Sequence, residues 1–294
     1  MSDAAQKPSD GVAFAALLVG AICIGLSPIF VRVSETGPTA TAFWRVALAL
    51  PVLWLARICD AARLAQRTRA IVPWPLLAGA GLAFAGDLGF WHLSIKLTSV
   101  ANSTLLANLA AIFVTLAGWL IFRHRPSGMF LVGLFTALAG VGMLVSTSLA
   151  FSPTALAGDG LGVVTALFYA WYLLTVKHLR DRGVDTLLLM TMTTTVTAIL
   201  LLPVALATGE PMLPATGAGW LKLLGVALIS HTAGQGLIAY SLAHLPAAFT
   251  SVSLLLQPVM AAMFAWTLLD EPLVPIQVAG GIVVLAGIYL ARRA

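Results

Sequence analysis

The sequence predicts an all-α membrane protein whose ten transmembrane helices form two inverted five-helix repeats. Composition, the spacing of apolar runs and an internal repeat predict this class. Of the 294 residues, 60% are hydrophobic and 9% are charged, whereas a soluble domain carries about 25% charged residues. The apolar runs continue along nearly the whole chain, so one large buried core does not account for them. We therefore expect a lipid bilayer as the surrounding solvent.

A membrane span needs about 20 mostly apolar residues. Cutting the chain at charged, proline and glycine-rich gaps predicts ten spans, at 11–31, 38–56, 72–95, 98–122, 127–147, 155–176, 184–208, 216–241, 245–268 and 274–291. The gaps near 96–97 and 242–244 are the shortest, but a helix running through either would exceed the bilayer thickness. The predicted organisation is a tail (1–10), a first repeat (11–147) and a second repeat (148–294).

Lys and Arg are unevenly distributed over the loops, which predicts the orientation. With the N-terminus inside, the outer segments hold Arg32, Lys96 and Lys222, while the cytoplasmic segments hold Lys7, Arg57, Arg63, Arg67, Arg69, Arg123, Arg125, Lys177, Arg180, Arg182, Arg292 and Arg293. We therefore expect both termini in the cytoplasm and location in the cell (inner) membrane. The net charge of +5 reflects this topology rather than a nucleic-acid partner, because the basic residues do not form one face interleaved with aromatics.

The chain also resembles itself at an offset near 148 residues. Ala83–His92 aligns with His231–Tyr240, and Leu131–Met143 aligns with Val278–Leu290. Both matches lie on corresponding spans of the two halves. Because each half has an odd number of spans, the second copy enters the membrane from the opposite side, and inverted repeats of this kind are typical of transporters.

Two segments carry a resemblance to a known family. Pro38–Pro51 has Arg45 inside the second span, and Ser251–Leu290 combines Pro258, an Asp270-Glu271-Pro272 turn and a Gly-rich last span. The chain resembles the drug/metabolite transporter superfamily in its EamA-type ten-helix form, and within it is similar to the aromatic amino-acid exporters of the YddG type. This resemblance implies export of Phe, Tyr, Trp and other amino acids.

The first half departs from this pattern at two positions. Ala110 stands where the ninth span has Pro258, and Arg123 stands where the second half has Glu271. We therefore expect the fourth span to have lost the kink that a proline produces.

Arg45 and Asp87 lie well inside spans, at about 10 and 12 Å from the outer ends at the rise of a helix. Intramembrane charges indicate function by default. The pair is interpreted either as a structural clamp or as the site for the carboxylate and ammonium of a zwitterionic substrate. Asp87 is also a candidate proton carrier. Its repeat counterpart is Gln235, which keeps a polar group on both sides.

Polar and aromatic residues complete the candidate site. Thr104 with Asn108 and Ser253 with Gln257 share helix faces, and Pro258 frees a backbone carbonyl; either cavity lining or interhelical hydrogen bonding explains them. The ring-bearing candidates for a substrate-stacking wall or for packing are Trp44, Trp91, His92, Tyr169, Tyr172 and Tyr240. Gly133/Gly140 and Gly280/Gly287 predict close helix packing, within the bundle or against a second copy.

We expect a secondary transporter that exports aromatic and other neutral or small zwitterionic amino acids by alternating access. The alternative is a multidrug exporter of lipophilic cations, which an aromatic cavity with one Asp would suit. Phosphate transport needs several deep cations, an enzyme needs a partnered nucleophile or acid, and a channel needs rings of like polar groups. No cofactor is expected, since no ATP-binding loop is present. The partners are the bilayer and an amino-acid substrate; monomer and homodimer remain open.

Overall fold

The computed structural model describes residues 10–60, 73–98, 100–121, 123–146 and 155–294. Each regular element among these residues is a helix. Most of the predicted tail, including Lys7, lies outside the described residues. So do Arg63, Arg67 and Arg69 of the second basic segment and the predicted repeat boundary at 147–148. We refer to the residues up to 146 as the first half and to those from 155 as the second half.

Ten helical segments of the described residues are long and apolar enough to cross a membrane, which confirms the predicted all-α class with ten transmembrane helices. We number them span 1 to span 10: Asp10–Arg32, Pro38–Cys59, Trp74–Leu97, Asn102–Leu120, Gly128–Val145, Leu156–Asp181, Thr186–Ala207, Gly217–Ser241, Ala247–Leu269 and Pro275–Arg292. The predicted boundaries differ from these by a few residues. The largest shift is at span 6, which continues to Asp181 because its last turn is polar yet still helical.

Several spans are not single continuous α-helices. Span 8 contains a π-helical stretch at Val226–Gln235. Four spans consist of two helices each: Asp10–Gly25 with Ser27–Arg32, Pro38–Ala47 with Leu50–Cys59, Val100–Ala107 with Ala110–Leu120, and Ala247–Ser253 with Leu256–Leu269. Proline explains three of these breaks. Pro28, Pro51 and Pro258 each lie in the first turn of the second helix, where the missing N–H removes the helical bond to the carbonyl four residues earlier.

The expected loss of the kink in span 4 is wrong. The span is interrupted at Asn108 and Leu109 although no proline is present. Here Nδ2 of Asn108 donates to the Thr104 carbonyl at 2.8 Å. The backbone N–H of Asn108 donates to the same carbonyl at 3.1 Å, so the amide shares this acceptor with the helical ladder at the point where the ladder is interrupted. The break in span 4 therefore lies just before Ala110, the counterpart of Pro258, and has a side-chain amide instead of a proline.

The two halves pack against each other in matching pairs of spans. Span 3 packs on span 6 as span 8 packs on span 1, and span 6 packs on span 4 as span 1 packs on span 9. Spans 5 and 10, 2 and 7, and 4 and 9 also meet directly. Each of these contacts therefore recurs when both spans are replaced by their counterparts in the other half, since span 3 corresponds to span 8, span 6 to span 1 and span 4 to span 9. The interior between the halves is lined by the repeated spans, and this arrangement positions the site.

Spans 5 and 10 form the tightest of these pairs. A Cβ added to Gly140 would lie 2.6 Å from the Val284 nitrogen and 2.7 Å from the Gly280 carbonyl oxygen. A Cβ at Gly133 would lie 2.7 Å from the Gly287 carbonyl oxygen. The glycine stripes therefore face each other within the bundle, where they bring two backbones into contact.

Candidate functional site

A cavity of about 120 Å³ lies between the two halves, in the interior of the bundle. Residues from spans 1, 2, 3, 4, 6, 8 and 9 line it. The breaks in spans 1, 4 and 9 open onto it through Ser27, Asn108 and Gln257, and the π-helical stretch of span 8 ends at it with Gln235. Irregular backbone inside a membrane is tolerated where it lines a cavity, and π-helical turns are frequent at functional sites.

The cavity brings together most of the residues that the sequence singled out. Nine of the fourteen line it: Arg45, Asp87, Trp91, Thr104, Asn108, Tyr169, Gln235, Gln257 and Pro258. They come from six different spans, so their convergence depends on how the spans pack.

Arg45 is the cation of the cavity wall. Its side chain is 6% exposed, and Nη1 donates a hydrogen bond to Oγ of Ser27 at 3.0 Å. The guanidinium lies 6.0 Å from the ring centre of Phe84. Its Nε is buried without a hydrogen-bond partner. Part of the donor capacity of this guanidinium is therefore not used by the protein.

Asp87 faces the same cavity from span 3. Both Arg45 and Asp87 lie in the described part of the chain, and no ion pair within 4.0 Å joins them there. The structure thus places opposite charges around one small space without joining them in a clamp. A molecule in the cavity would contact both groups.

Two amide side chains carry unused hydrogen-bonding groups at the cavity. Gln235 is 1% exposed, and its Oε1 has no hydrogen-bond partner. Nε2 of Gln257 is likewise buried and unbonded. A buried polar group without a partner costs about 1–3 kcal/mol, so these groups point to a polar ligand.

Apolar and aromatic side chains form much of the remaining wall, beside the hydroxyl and amide groups of Thr104, Asn108 and Thr165. Ile24, Leu88 and Ala107 line it together with the rings of Phe84, Trp91 and Tyr169. The ring of Tyr172 is not part of the lining, but it stacks on Tyr169 at 6.2 Å and meets Phe84 at 4.8 Å. Tyr172 therefore supports the aromatic wall from behind.

The structure places four other predicted residues away from the cavity. His92 is bonded through Nδ1 to the Leu88 carbonyl at 2.6 Å, and Ser253 donates to the Phe249 carbonyl at 2.9 Å. Tyr240 packs against His244 at 5.1 Å. Trp44 donates from Nε1 to the Met212 carbonyl at 2.6 Å. Three polar atoms thus have a hydrogen-bond partner within the protein: Nδ1 of His92, Oγ of Ser253 and Nε1 of Trp44.

Ser27, Phe84 and Thr165 line the cavity although the sequence analysis did not select them. A signal was available for Ser27, because the Ser27–Pro28 pair lies inside a span, where proline frees backbone groups. Phe84 and Thr165 carried no distinguishing signal, since aromatic and hydroxyl residues occur throughout the spans.

A second, larger cavity of about 1070 Å³ lies between the halves at one end of the bundle. Its lining includes Asp10, Arg125, Lys177, His244 and Arg292. These residues belong to the segments that the distribution of Lys and Arg assigns to the cytoplasm.

The opposite end of the bundle is closed by ion pairs. Arg32 pairs with Glu271, Lys96 pairs with Glu210, and Lys222 lies 4.0 Å from Glu35. Each of these pairs joins the first half to the second. None of the three acidic members, Glu35, Glu210 and Glu271, was among the predicted site residues, although all three lie in short loops at the span ends assigned to the outer side.

Two segments of the chain, 11–146 and 156–293, match the model of the EamA-like transporter family. The chain belongs to this family. The EamA-like transporter described here is thus a multi-pass membrane protein, and its family model matches two successive segments of the chain.

Relatives and a solved structure agree with this assignment. The chain is 29% identical to an uncharacterized transporter of Archaeoglobus fulgidus over 89% of this chain and 91% of the relative. It is 27% identical to a "probable amino-acid metabolite efflux pump" of Salmonella typhimurium over 74% of this chain and 77% of the relative. A crystal structure at 17% identity superposes with a TM-score of 0.79 and covers 95% of both chains, which shows the shared fold.

Proposed function

We propose that this EamA-like transporter exports small zwitterionic metabolites, neutral amino acids foremost, from the cytoplasm by alternating access around the 120 Å³ cavity. The observation that carries the proposal is the cavity itself, which presents the guanidinium of Arg45 and the carboxylate of Asp87 around one small space without an ion pair between them. The name of the Salmonella typhimurium relative, an amino-acid metabolite efflux pump, agrees with this substrate class.

Electrostatics favours a zwitterion over a singly charged ligand. An isolated charge in a low-dielectric site is costly, whereas opposite charges that are paired and hydrogen-bonded can offset the loss of water. A substrate carboxylate on Arg45 and a substrate ammonium on Asp87 would satisfy both groups at once. The guanidinium suits a carboxylate because it presents parallel N–H donors. The free amide groups of Gln235 and Gln257 supply further polar contacts.

The volume of the cavity favours small substrates. The volume of this cavity, about 120 Å³, is small for a binding pocket. Pockets for drug-sized ligands run to about 300–1,000 Å³. We therefore propose small neutral amino acids as the preferred substrates. The aromatic amino acids implied by the family resemblance require a cavity wider than the one in this conformation.

Alternating access rests on the repeat. We propose that the halves are inverted copies, with both termini cytoplasmic, that rock about the cavity. The matching pairs of span contacts and the two separate family matches support this arrangement. In this conformation the large cavity would be the cytoplasmic vestibule, and the end closed by ion pairs would face outward.

Uptake into proteoliposomes tests the function. The panel contains alanine, serine, valine and phenylalanine, together with ethylamine and propionate as single-charge analogues of alanine and tetraphenylphosphonium as a lipophilic cation. We expect uptake of alanine and serine, slower uptake of phenylalanine, and little uptake of either single-charge analogue. Uptake of tetraphenylphosphonium without any amino acid would instead establish the lipophilic-cation exporter.

A further inference from the structure

The ends of the spans opposite the large cavity are held together by charges that the proposed substrate site does not use. Three ion pairs, Arg32–Glu271, Lys96–Glu210 and Lys222–Glu35, all cross between the halves. In the part of the chain that the structure describes, the ion pair found near the other end, Lys177–Asp181, lies within a single helix. The ion pairs between the halves that the described residues show thus lie at the closed end.

Glu210 has the most partners in this group. Its side chain is 10% exposed and pairs with Lys96. Its Oε2 accepts hydrogen bonds from the backbone N–H groups of Thr39 at 2.8 Å and Ala40 at 3.2 Å. These N–H groups belong to the first turn of the helix Pro38–Ala47. A carboxylate of the second half thus caps a helix of the first half, where the helix dipole favours negative charge.

Glu210 lies in the loop between spans 7 and 8, and further contacts attach this loop to the first half. The Pro211 carbonyl accepts from the Gly37 N–H at 3.3 Å, and the Met212 carbonyl accepts from Trp44 Nε1 at 2.6 Å. Further along, Thr216 donates from its hydroxyl to Glu35 at 2.5 Å. The segment from Glu210 to Thr216 is therefore attached to the first half at four successive points.

The helix that Glu210 caps also carries the cavity cation. Arg45 lies on Pro38–Ala47, six residues after Thr39, which is about 9 Å along a helix. No break occurs between the capped turn and Arg45. Movement of the capped end is therefore transmitted to Arg45 through a rigid helix.

We propose that Glu210 is the central residue of a gate formed by the three ion pairs between the halves, and that opening this gate is the step that releases substrate. This inference rests on the proposed alternating access. Exit toward this end requires the halves to separate, so the Glu210 contacts must break together. Because Arg45 shares the capped helix, the state of the gate and the position of the substrate-binding cation are coupled.

Cysteine accessibility tests the gate without requiring a substrate. The two native cysteines, Cys23 and Cys59, are replaced by serine, and Ala261→Cys places one thiol in the cavity wall. Labelling by a membrane-impermeant maleimide is then compared in right-side-out and inside-out vesicles. We expect Glu210→Gln and Glu271→Gln to accelerate labelling from the outer side by about tenfold or more, which corresponds to about 1.4 kcal/mol in the opening equilibrium.

Asp270→Asn is the matched control. Asp270 adjoins Glu271 in the same turn and has a left-handed backbone, with φ of 54°, which Asn tolerates as well as Asp. Its carboxylate makes no ion pair in the described part of the chain. We expect its labelling rate to stay within about twofold of the parent, since surface changes away from such contacts are nearly neutral.

A charge exchange guards against misfolding of the single variants. Arg32→Glu combined with Glu271→Arg restores an ion pair of reversed direction, so slow outer labelling should return. Unchanged outer labelling in Glu210→Gln and Glu271→Gln, with normal transport, would overturn the gate and leave the proposed function intact. Acceleration confined to inside-out vesicles would keep the gate and overturn the proposed orientation. Acceleration without amino-acid uptake by the parent protein would keep the gate and overturn the proposed substrate.

Discussion

Nη1 of Arg45 donates a hydrogen bond to Oγ of Ser27 at 3.0 Å, which holds the cavity cation at the break in span 1. The bond leaves other donors of the guanidinium free, including the buried Nε. Because Ser27 is neutral, the charge of Arg45 is positioned by this contact but not neutralised. That combination is what a binding site for an anionic group requires.

Arg45→Lys tests whether substrate binding depends on the planar set of N–H donors of the guanidinium as well as on its charge. Lysine keeps the positive charge but presents a single ammonium, so bidentate contact with a carboxylate is lost. We expect the KM for alanine to rise by about tenfold, in line with the loss of one charge-assisted hydrogen bond. Proteoliposome uptake kinetics measure this, with Arg182→Lys on an exposed turn as the control. An unchanged KM would show that Arg45 serves structure only.

Asp87→Asn preserves the shape of the side chain and removes its charge. We expect uptake of alanine to fall by about tenfold or more, because the substrate ammonium loses its counter-charge in a low-dielectric site. Uptake of propionate should rise relative to alanine, since it carries no ammonium. Rates are measured across a pH series. Amino-acid uptake at parental rates throughout the series would exclude Asp87 from both ammonium binding and proton coupling.

Gln235→Leu separates binding from stability. Replacement by leucine removes the buried, unpartnered Oε1 of Gln235 but also removes the hydrogen bonds that this side chain makes to Tyr169 and Tyr172, so the two effects oppose each other and the melting temperature in detergent should change little. Transport should fall by about tenfold if substrate is the missing partner. Ser253→Ala is the control, since its hydroxyl already bonds the Phe249 carbonyl and should alter transport by less than about twofold. Loss of stability together with transport in Gln235→Leu would indicate a structural role instead.

Gly140→Ala and Gly142→Ala form a matched pair on span 5. A Cβ at Gly140 would lie 2.6 Å from the Val284 nitrogen, whereas nothing lies within 4 Å of one at Gly142. Both changes add the same methyl group to the same helix. We expect Gly140→Ala to destabilise the protein by about 1–3 kcal/mol through overpacking and Gly142→Ala to be neutral or stabilising. Thermal unfolding in detergent measures the difference. Equal melting temperatures of the two variants would contradict the close packing of spans 5 and 10.

Acid should open the gate only at a pH below the usual pKa of a glutamate side chain. Burial tends to raise the pKa of Glu210, but the Lys96 ammonium and the N–H groups of Ala40 and Thr39 outweigh it and hold the pKa below its usual value of 4.5. The hydrogen bond from Thr216 is the main cause of the lowered pKa of Glu35. A lowered pKa means that the stabilisation is complete above the usual value and is lost as pH falls through the lowered one.

Outer labelling of Ala261→Cys measures this response. The reagent is added during a brief exposure to acid, and the sample is then returned to neutral pH with the reagent still present. Labelling relative to a free-thiol standard should stay constant from about pH 8 to 5 and rise only below about 4.5. An increase between about pH 6 and 7 would contradict the assignment of the gate to carboxylates with lowered pKa values.

The sequence by itself was sufficient for the membrane class and the ten spans, because each span must satisfy its backbone internally and be apolar over a fixed length. It also identified Arg45 and Asp87, since a charge in an apolar run stands out without any structural information. It did not predict the break in span 4, because an expectation based on proline overlooks a break that coincides with the side-chain hydrogen bond of Asn108.

Convergence in space was decided only by the tertiary structure. Tyr169 lines the cavity and Tyr172, three residues later, lies behind it; hydropathy does not distinguish them, because both positions of an interior helix are apolar or aromatic. The partners of Lys96 and Lys222 were hidden for a similar reason, since Glu210 and Glu35 are distant in sequence. Local composition determines whether a segment enters the bilayer, but which side chains face one another depends on how ten helices pack.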